Sequence, residues 1–220
     1  MKKLRKKELE SILNNSKVDT QWTDRINFDE RFTKYTIYRS TAGEFIEVNQ
    51  ITGKGAIVAE EHLIASNDFR RKISHNLKRG IQSSHDQWKF YHSIEDDFSL
   101  LVKNAVPSLS SITRIPSKKL TFSLASFKEI DETLDPDLFW DDARLKEIYD
   151  PLMGYIGEYM RLKSSGTWIK KEAIPCILTP GNQLLMPHNI IFSITATPGV
   201  GSLHRETKRA TYSLRYEKPR

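Results

Sequence analysis

The sequence predicts an α+β fold: an antiparallel β-meander plus helices in the N-terminal half, and helices packed on a mostly antiparallel sheet in the C-terminal half. Three observations predict it. β-branched and aromatic residues alternate with period two between residues 32 and 60. Apolar residues then recur at three-and-four spacing from 66 to 106 and again from 124 to 163. After Gly166 the extended pattern returns, punctuated by Thr-Pro-Gly turns. A chain of 220 residues has length enough for one large domain or two small ones, and for a real core.

In chain order, residues 2–15 read as a short helix with a thin apolar face of Leu4, Ile12 and Leu13. The segments FTKYTIYRS (32–40), GEFIEVNQI (43–51) and AIVAE (56–60) read as three strands of a meander, the last two joined by a TGKG turn. Ser66 or Asn67 is placed to cap a helix carrying Phe69, Ile73, Leu77 and Ile81. A second helix over 84–105 has the stripe Tyr91, Ile94, Phe98, Leu101 and Ala105. The serine-rich stretch 104–119, with two prolines, reads as a connector. It divides the chain into regions 1–106 and 107–220, which are either two domains or one compact unit.

In the second region KLTFS (119–123) suggests a strand, and Ser123 caps a helix over 124–134. A helix over 135–149 should end or kink at Asp150 before Pro151, with Asp150 capping a new helix over 151–163. The segments 167–171, 175–179, 190–196 and 210–216 read as strands, and 179–182 and 197–201 as turns.

The stretch YIGEYMRLKSSGTW (155–168) carries the sharpest question. Gly154 and Gly157 each cost a helix about 1 kcal/mol against alanine, so their presence predicts close approach of another backbone. Glu158, beside that contact, needs donors if it is buried. Gly166 is expected to end the helix at positive φ, and Trp168 to cover the helix end.

The order of Leu120, Phe122, Ser123, Ser126, Ile130 and Asp131, then Tyr155, Gly157, Glu158, Gly166 and Trp168, resembles a bacterial domain of unknown function. The resemblance covers about residues 119–195. The chain departs from it at Phe127, where leucine is usual, and at Ser165, where a glycine is usual. It implies an α+β bacterial domain and no reaction; some members are immunity-protein-like, shielding a cell from a paired toxin.

The residues narrow the chemistry. One cysteine, Cys176, excludes an internal disulfide and a multi-cysteine zinc site. It lies among apolar neighbours, the setting of an inert thiol, although His188 offers a base from the next segment. His85, His92 and Asp96 line one helical stripe opposite the apolar face, with Lys103 continuing it; that is a solvated face, and no metal site or cofactor is expected. No Gly-x-Ser-x-Gly elbow, P-loop or dinucleotide fingerprint is present. The acidic run 131–142 lacks calcium-loop spacing.

Net charge is +6, which favours acidic or phosphate-rich partners. Arg70, Arg71, Lys72, Lys78 and Arg79 are the candidates for contacts to phosphates or to an acidic partner. The absence of interleaved aromatics favours a solvated helix face over a nucleic-acid groove. No apolar run approaches the roughly 18 residues of a membrane span, and the basic start lacks the apolar core of a signal peptide, so a cytoplasmic protein is expected. The expected function is a non-enzymatic protein-binding module, in the form of an immunity protein that occludes a toxin. The alternatives are a nucleic-acid-binding module and a hydrolase-like enzyme using Glu158 or a histidine.

Overall fold

The computed structural model describes residues 1–92, 98–134, 141–196 and 201–212. The fold is α+β, with a five-stranded and a three-stranded sheet, both antiparallel. The chain divides into two compact units, Met1–His75 and Asn76–Arg220, and not at residues 106/107.

In the first unit β3 (Tyr35–Ser40), β4 (Phe45–Asn49) and β5 (Gly55–Val58) form the expected meander. The N-terminal segment is more than a helix. It supplies β1 (Lys2–Lys3), α1 (Lys6–Leu13) and β2 (Ser16–Val18), giving the strand order β1-β5-β4-β3-β2. α1 therefore links the two edges of the sheet, and its buried Leu9 rests on Gly55, where a Cβ would come within 2.7 Å of Leu9 Cδ1. Two- and three-residue edge strands are too short to show an alternation in sequence.

The other face of the sheet carries Ile37, Phe45, Ala56 and Val58. These pack against Trp22 and Ile26 of α2 (Thr20–Ile26) and Leu63 of α3 (Glu60–Lys78). Trp22 meets Phe45 edge-to-face at 6.2 Å. β2 covers β3 only from Tyr38 to Ser40. Beyond it the bare edge is satisfied by side chains of α2 and its C-cap: Asn27 accepts from the Tyr35 amide at 3.0 Å and donates to the Tyr35 carbonyl at 2.7 Å, and the Thr23 hydroxyl accepts from the Ile37 amide at 3.0 Å.

α3 begins at Glu60, six or seven residues before the expected cap, with Glu60 and Glu61 at its positive end. Its inward residues in the first unit include Leu63, Asn67, Arg70, Lys72 and Ser74, while Phe69 of the expected stripe is exposed. The polar residues are turned inward because the surrounding loops offer backbone acceptors: Arg70 donates to the carbonyls of Ile26 at 3.0 Å and Thr33 at 3.1 Å.

The second unit is built around α7 (Asp142–Ser164), buried along most of its length from Leu145 to Met160. α4 (Ser84–Tyr91), α5 (Phe98–Thr113), α6 (Leu124–Thr133), α8 (Pro187–Ala196) and α9 (Leu203–Tyr212) surround it. A hairpin of β6 (Thr167–Lys171) and β7 (Ile174–Leu178), extended by β8 (Leu184–Leu185), closes the unit.

The second unit differs from the sequence pattern in several places. The connector at 104–119 is helix up to Thr113, with Pro107 inside α5, because Leu101, Ala105 and Leu109 continue one buried stripe against α7. Asp150 and Pro151 lie within α7 and do not divide it. An interior proline costs a helix about 3 kcal/mol, which burial of Ile148, Tyr149, Leu152 and Met153 offsets. KLTFS is not a strand: only its Lys119 belongs to a 3₁₀ turn (Ser117–Lys119), and the rest leads irregularly into the α6 cap at Ser123. Residues 190–196 are helical, since they fall inside α8 after Pro187 at its first position. Residues 210–212 end α9. The rest of that expected strand, most of the 197–201 turn, Ile94, Asp96 and the expected helix start at 135–140 lie outside the described residues.

Candidate functional site

The motif residues make separate structural contacts. Ser123 caps α6, its hydroxyl accepting from the Ser126 amide at 3.3 Å. Asp131 caps a different helix: its carboxylate accepts from the Leu203 amide at 2.7 Å, the His204 amide at 3.0 Å and the Ser202 hydroxyl at 2.8 Å, which fixes the start of α9. The Tyr155 hydroxyl accepts from the Phe122 amide at 3.0 Å, and the two rings stack at 4.8 Å. Phe122 is thereby held at φ 49°, a left-handed conformation that a phenylalanine otherwise avoids.

Gly154 packs against backbone, since a Cβ there would overlap the Leu101 carbonyl. Gly157 receives the Trp168 indole, whose Cζ2 would lie 2.5 Å from an added Cβ. Glu158 takes two bonds from the Arg161 guanidinium, at 2.8 and 2.7 Å, and one from Trp168 Nε1 at 3.3 Å. Burial pushes the Glu158 carboxyl up, but the Arg161 and Trp168 bonds outweigh it and leave it below its ordinary value. Both oxygens are thus engaged by Arg161, and Oε2 also holds Trp168 on the helix. The left-handed residue at the helix end is Ser165, at φ 53°, and not Gly166. Gly166 is required for space: a Cβ would sit 2.6 Å from Ile177 Cγ2 and 2.7 Å from the Leu178 carbonyl oxygen.

The basic set is largely spent internally. Arg70 and Lys72 are buried, and Arg79 is paired with Asp142, which also accepts from the Tyr91 hydroxyl at 2.7 Å. Arg71 and Lys78 are exposed. The sequence missed the partner of Arg71. Its guanidinium lies 5.3 Å from the ring centre of Phe28, which is 41% exposed, and Phe28 packs 6.2 Å from Phe32. Ile64, 40% exposed, lies seven residues before Arg71 and on the same face of α3. Arg31 joins through Asp29, whose carboxyl is held below the usual range by that guanidinium and by Ser74. The segment NFDERF (27–32) shows neither helix nor strand period; two phenylalanines flanking three charged residues are its sequence signal.

The histidine stripe does not persist. His92 is half-buried, with Nδ1 2.8 Å from the buried Asp150 carboxylate and its ring stacked on Trp88 at 3.7 Å. Asp150 also borders a groove of about 480 Å³ with Asn104, Ser108, Lys146 and Glu147. A carboxylate-held imidazole is the base half of a catalytic dyad. Among the described residues no hydroxyl or thiol is bonded to His92.

His85 instead shares a pocket of about 230 Å³ with Cys176 and His188. Burial pushes the Cys176 thiol up to about 11, with Lys171 opposing, and its Sγ contacts the Ile174 carbonyl at 3.5 Å. Burial, with His85 nearby, pulls His188 down to about 4. A protonated thiol beside a neutral imidazole is not an activated nucleophile. Among the described residues no three His, Cys, Asp or Glu side chains are placed to hold a metal ion, and no helix is long and apolar enough to cross a membrane. No family model, curated protein or solved structure matches the chain.

Proposed function

We propose that this chain is a protein-binding module of the immunity type, which acts by covering part of a partner protein. The observation that carries the reading is the exposed Phe28–Arg71–Ile64 surface with Phe32 behind it. Aromatic and arginine side chains supply most of the energy in protein interfaces, where a ring held rigid by its neighbours loses little entropy on docking. The net charge of +6 favours an acidic target. The commitment of Glu158 to Arg161 and Trp168, and the unactivated Cys176, support a non-enzymatic role.

The test uses the full chain as bait in its host, with Phe28→Glu as the control. The reading expects a partner retained by the native chain and lost by the variant, whose activity falls on stoichiometric addition of the native chain. Equal retention by both, or an undiminished partner activity, refutes it.

The same surface favours a second reading. Phe28 and Phe32 are aromatics beside an arginine, the elements of a stacking platform for single-stranded nucleic acid. That reading expects binding to an oligonucleotide that weakens steeply with salt. The burial of Arg70 and Lys72 and the pairing of Arg79 leave little charge for phosphates, so it ranks second.

A further inference from the structure

The first turns of two helices open on one pocket. Ser84 and His85 begin α4, and His188 and Asn189 lie in the first turn of α8; all four line the 230 Å³ pocket that Cys176 floors. The Ser84 hydroxyl donates to Asn189 Oδ1 at 2.6 Å and Gln87 Nε2 donates to the Thr195 hydroxyl at 2.7 Å, which ties the two helices together. First-turn amides lack acceptors within their own helix and carry the positive end of the dipole. At α4 the Ser83 cap takes the Asp86 amide at 3.2 Å, and at α8 the Asn189 amide reaches the Met186 carbonyl at 3.1 Å. The amides of Ser84, His85 and His188 belong to the remainder.

A second observation is independent of the helix ends. His188 is only 4% exposed, and its Nδ1 has no hydrogen-bond partner. A buried polar atom without a partner is costly and calls for an explanation such as a ligand. Lys171, on the rim, adds a full positive charge, while Glu172 beside it limits how much negative charge the site accepts. Two positive helix ends disfavour a cation, and the thiol stays protonated because burial raises it. The volume corresponds to about eight waters at roughly 30 Å³ each, which admits a small anionic group with a few further atoms.

We propose that this pocket binds a small oxyanion, a phosphate or carboxylate group, gripped by Lys171, by His188 Nδ1–H and by the first-turn amides of α4 and α8. This site is built wholly from residues of the second unit, shares none with the proposed protein-binding surface, and does not rest on that reading.

The test is a titration of the full ¹⁵N-labelled chain with inorganic phosphate and, separately, with acetate, at constant ionic strength. We expect saturable shifts of the Ser84, His85 and His188 resonances, with a Kd of a few mM or tighter (about −3 to −4 kcal/mol). Saturation by phosphate alone identifies a phosphate site, and by acetate alone a carboxylate site. Lys171→Met should weaken binding by about fivefold or more, about 1 kcal/mol. Lys171 is an exposed hairpin residue, so its variant keeps the test valid even if changes at His188 prevent folding. No saturation with either anion overturns the proposal, as does equal affinity in Lys171→Met. A zinc or copper(I) titration that gives thiolate–metal absorption, lost in Cys176→Ser, without anion binding would also overturn it.

Discussion

Replacing Gly154 by alanine tests whether the paired glycines of α7 are scaffold. In an open helix the change is stabilising by about 1 kcal/mol. Here the new Cβ would overlap the Leu101 carbonyl oxygen and lie 2.6 Å from its carbon, with the Ala105 Cβ at 3.3 Å. Carbon contacts are comfortable at about 3.5–4.0 Å, so α5 must retreat by about 1 Å along its whole contact with α7. The obstruction is backbone, so no rotamer change relieves it. Overpacking of this kind costs about 1–3 kcal/mol, and more where nothing yields. After subtracting the helix-propensity gain, we expect a net loss of about 2 kcal/mol. For a chain of this size that lowers Tm by about 4–8 °C. Thermal unfolding followed by circular dichroism, with a urea titration alongside, measures both numbers. Ala105→Gly added to the variant should not restore stability, because Ala105 is not the main obstacle. A Gly154→Ala chain as stable as the native one, or more so, refutes the close-packing account of α5 and α7.

Further expectations concern the neighbouring bonds. Asp131→Ala removes three bonds at the start of α9 and should cost about 1–3 kcal/mol. Amide exchange at Leu203 and His204 should rise first, and unchanged protection there would refute the cap. The Glu158 carboxyl lies below its ordinary value in the folded chain, so its contribution is full above the unfolded value near 4.3 and lost as pH falls through the folded one. Glu158→Gln should therefore flatten that part of the acid limb of the stability–pH curve; a curve of unchanged shape counts against the pairing with Arg161. Cys176, raised to about 11, should react with a thiol reagent at pH 8 only as fast as the second unit opens. Rapid stoichiometric labelling of the native chain would contradict its burial.

Some of this was legible in the residues alone. Period two over 35–58 specified the meander, since alternation survives any tertiary context that buries one face. Ser123 and the close approach at Gly154 were readable because caps and glycines report local backbone demands. The sequence also bounded the chemistry, with one cysteine and no phosphate-binding loop.

Other features depended on residues far apart in the chain. Pro107 and Pro151 read as boundaries, yet each sits inside a helix, because buried contacts between α5 and α7 outweigh the local cost of a proline. Residues 190–196 have strand-like composition, but Pro187 begins a helix there. Asp131 was placed on the right helix, but the end it caps lies 72 residues further on. Arg71 read as one member of a basic set on its helix, and its neighbour Phe28 lies 43 positions earlier in the chain. Sequence determined the period of each segment and the groups available; only tertiary packing determined which buried face prevailed over local preference, and which distant partner each charge would meet.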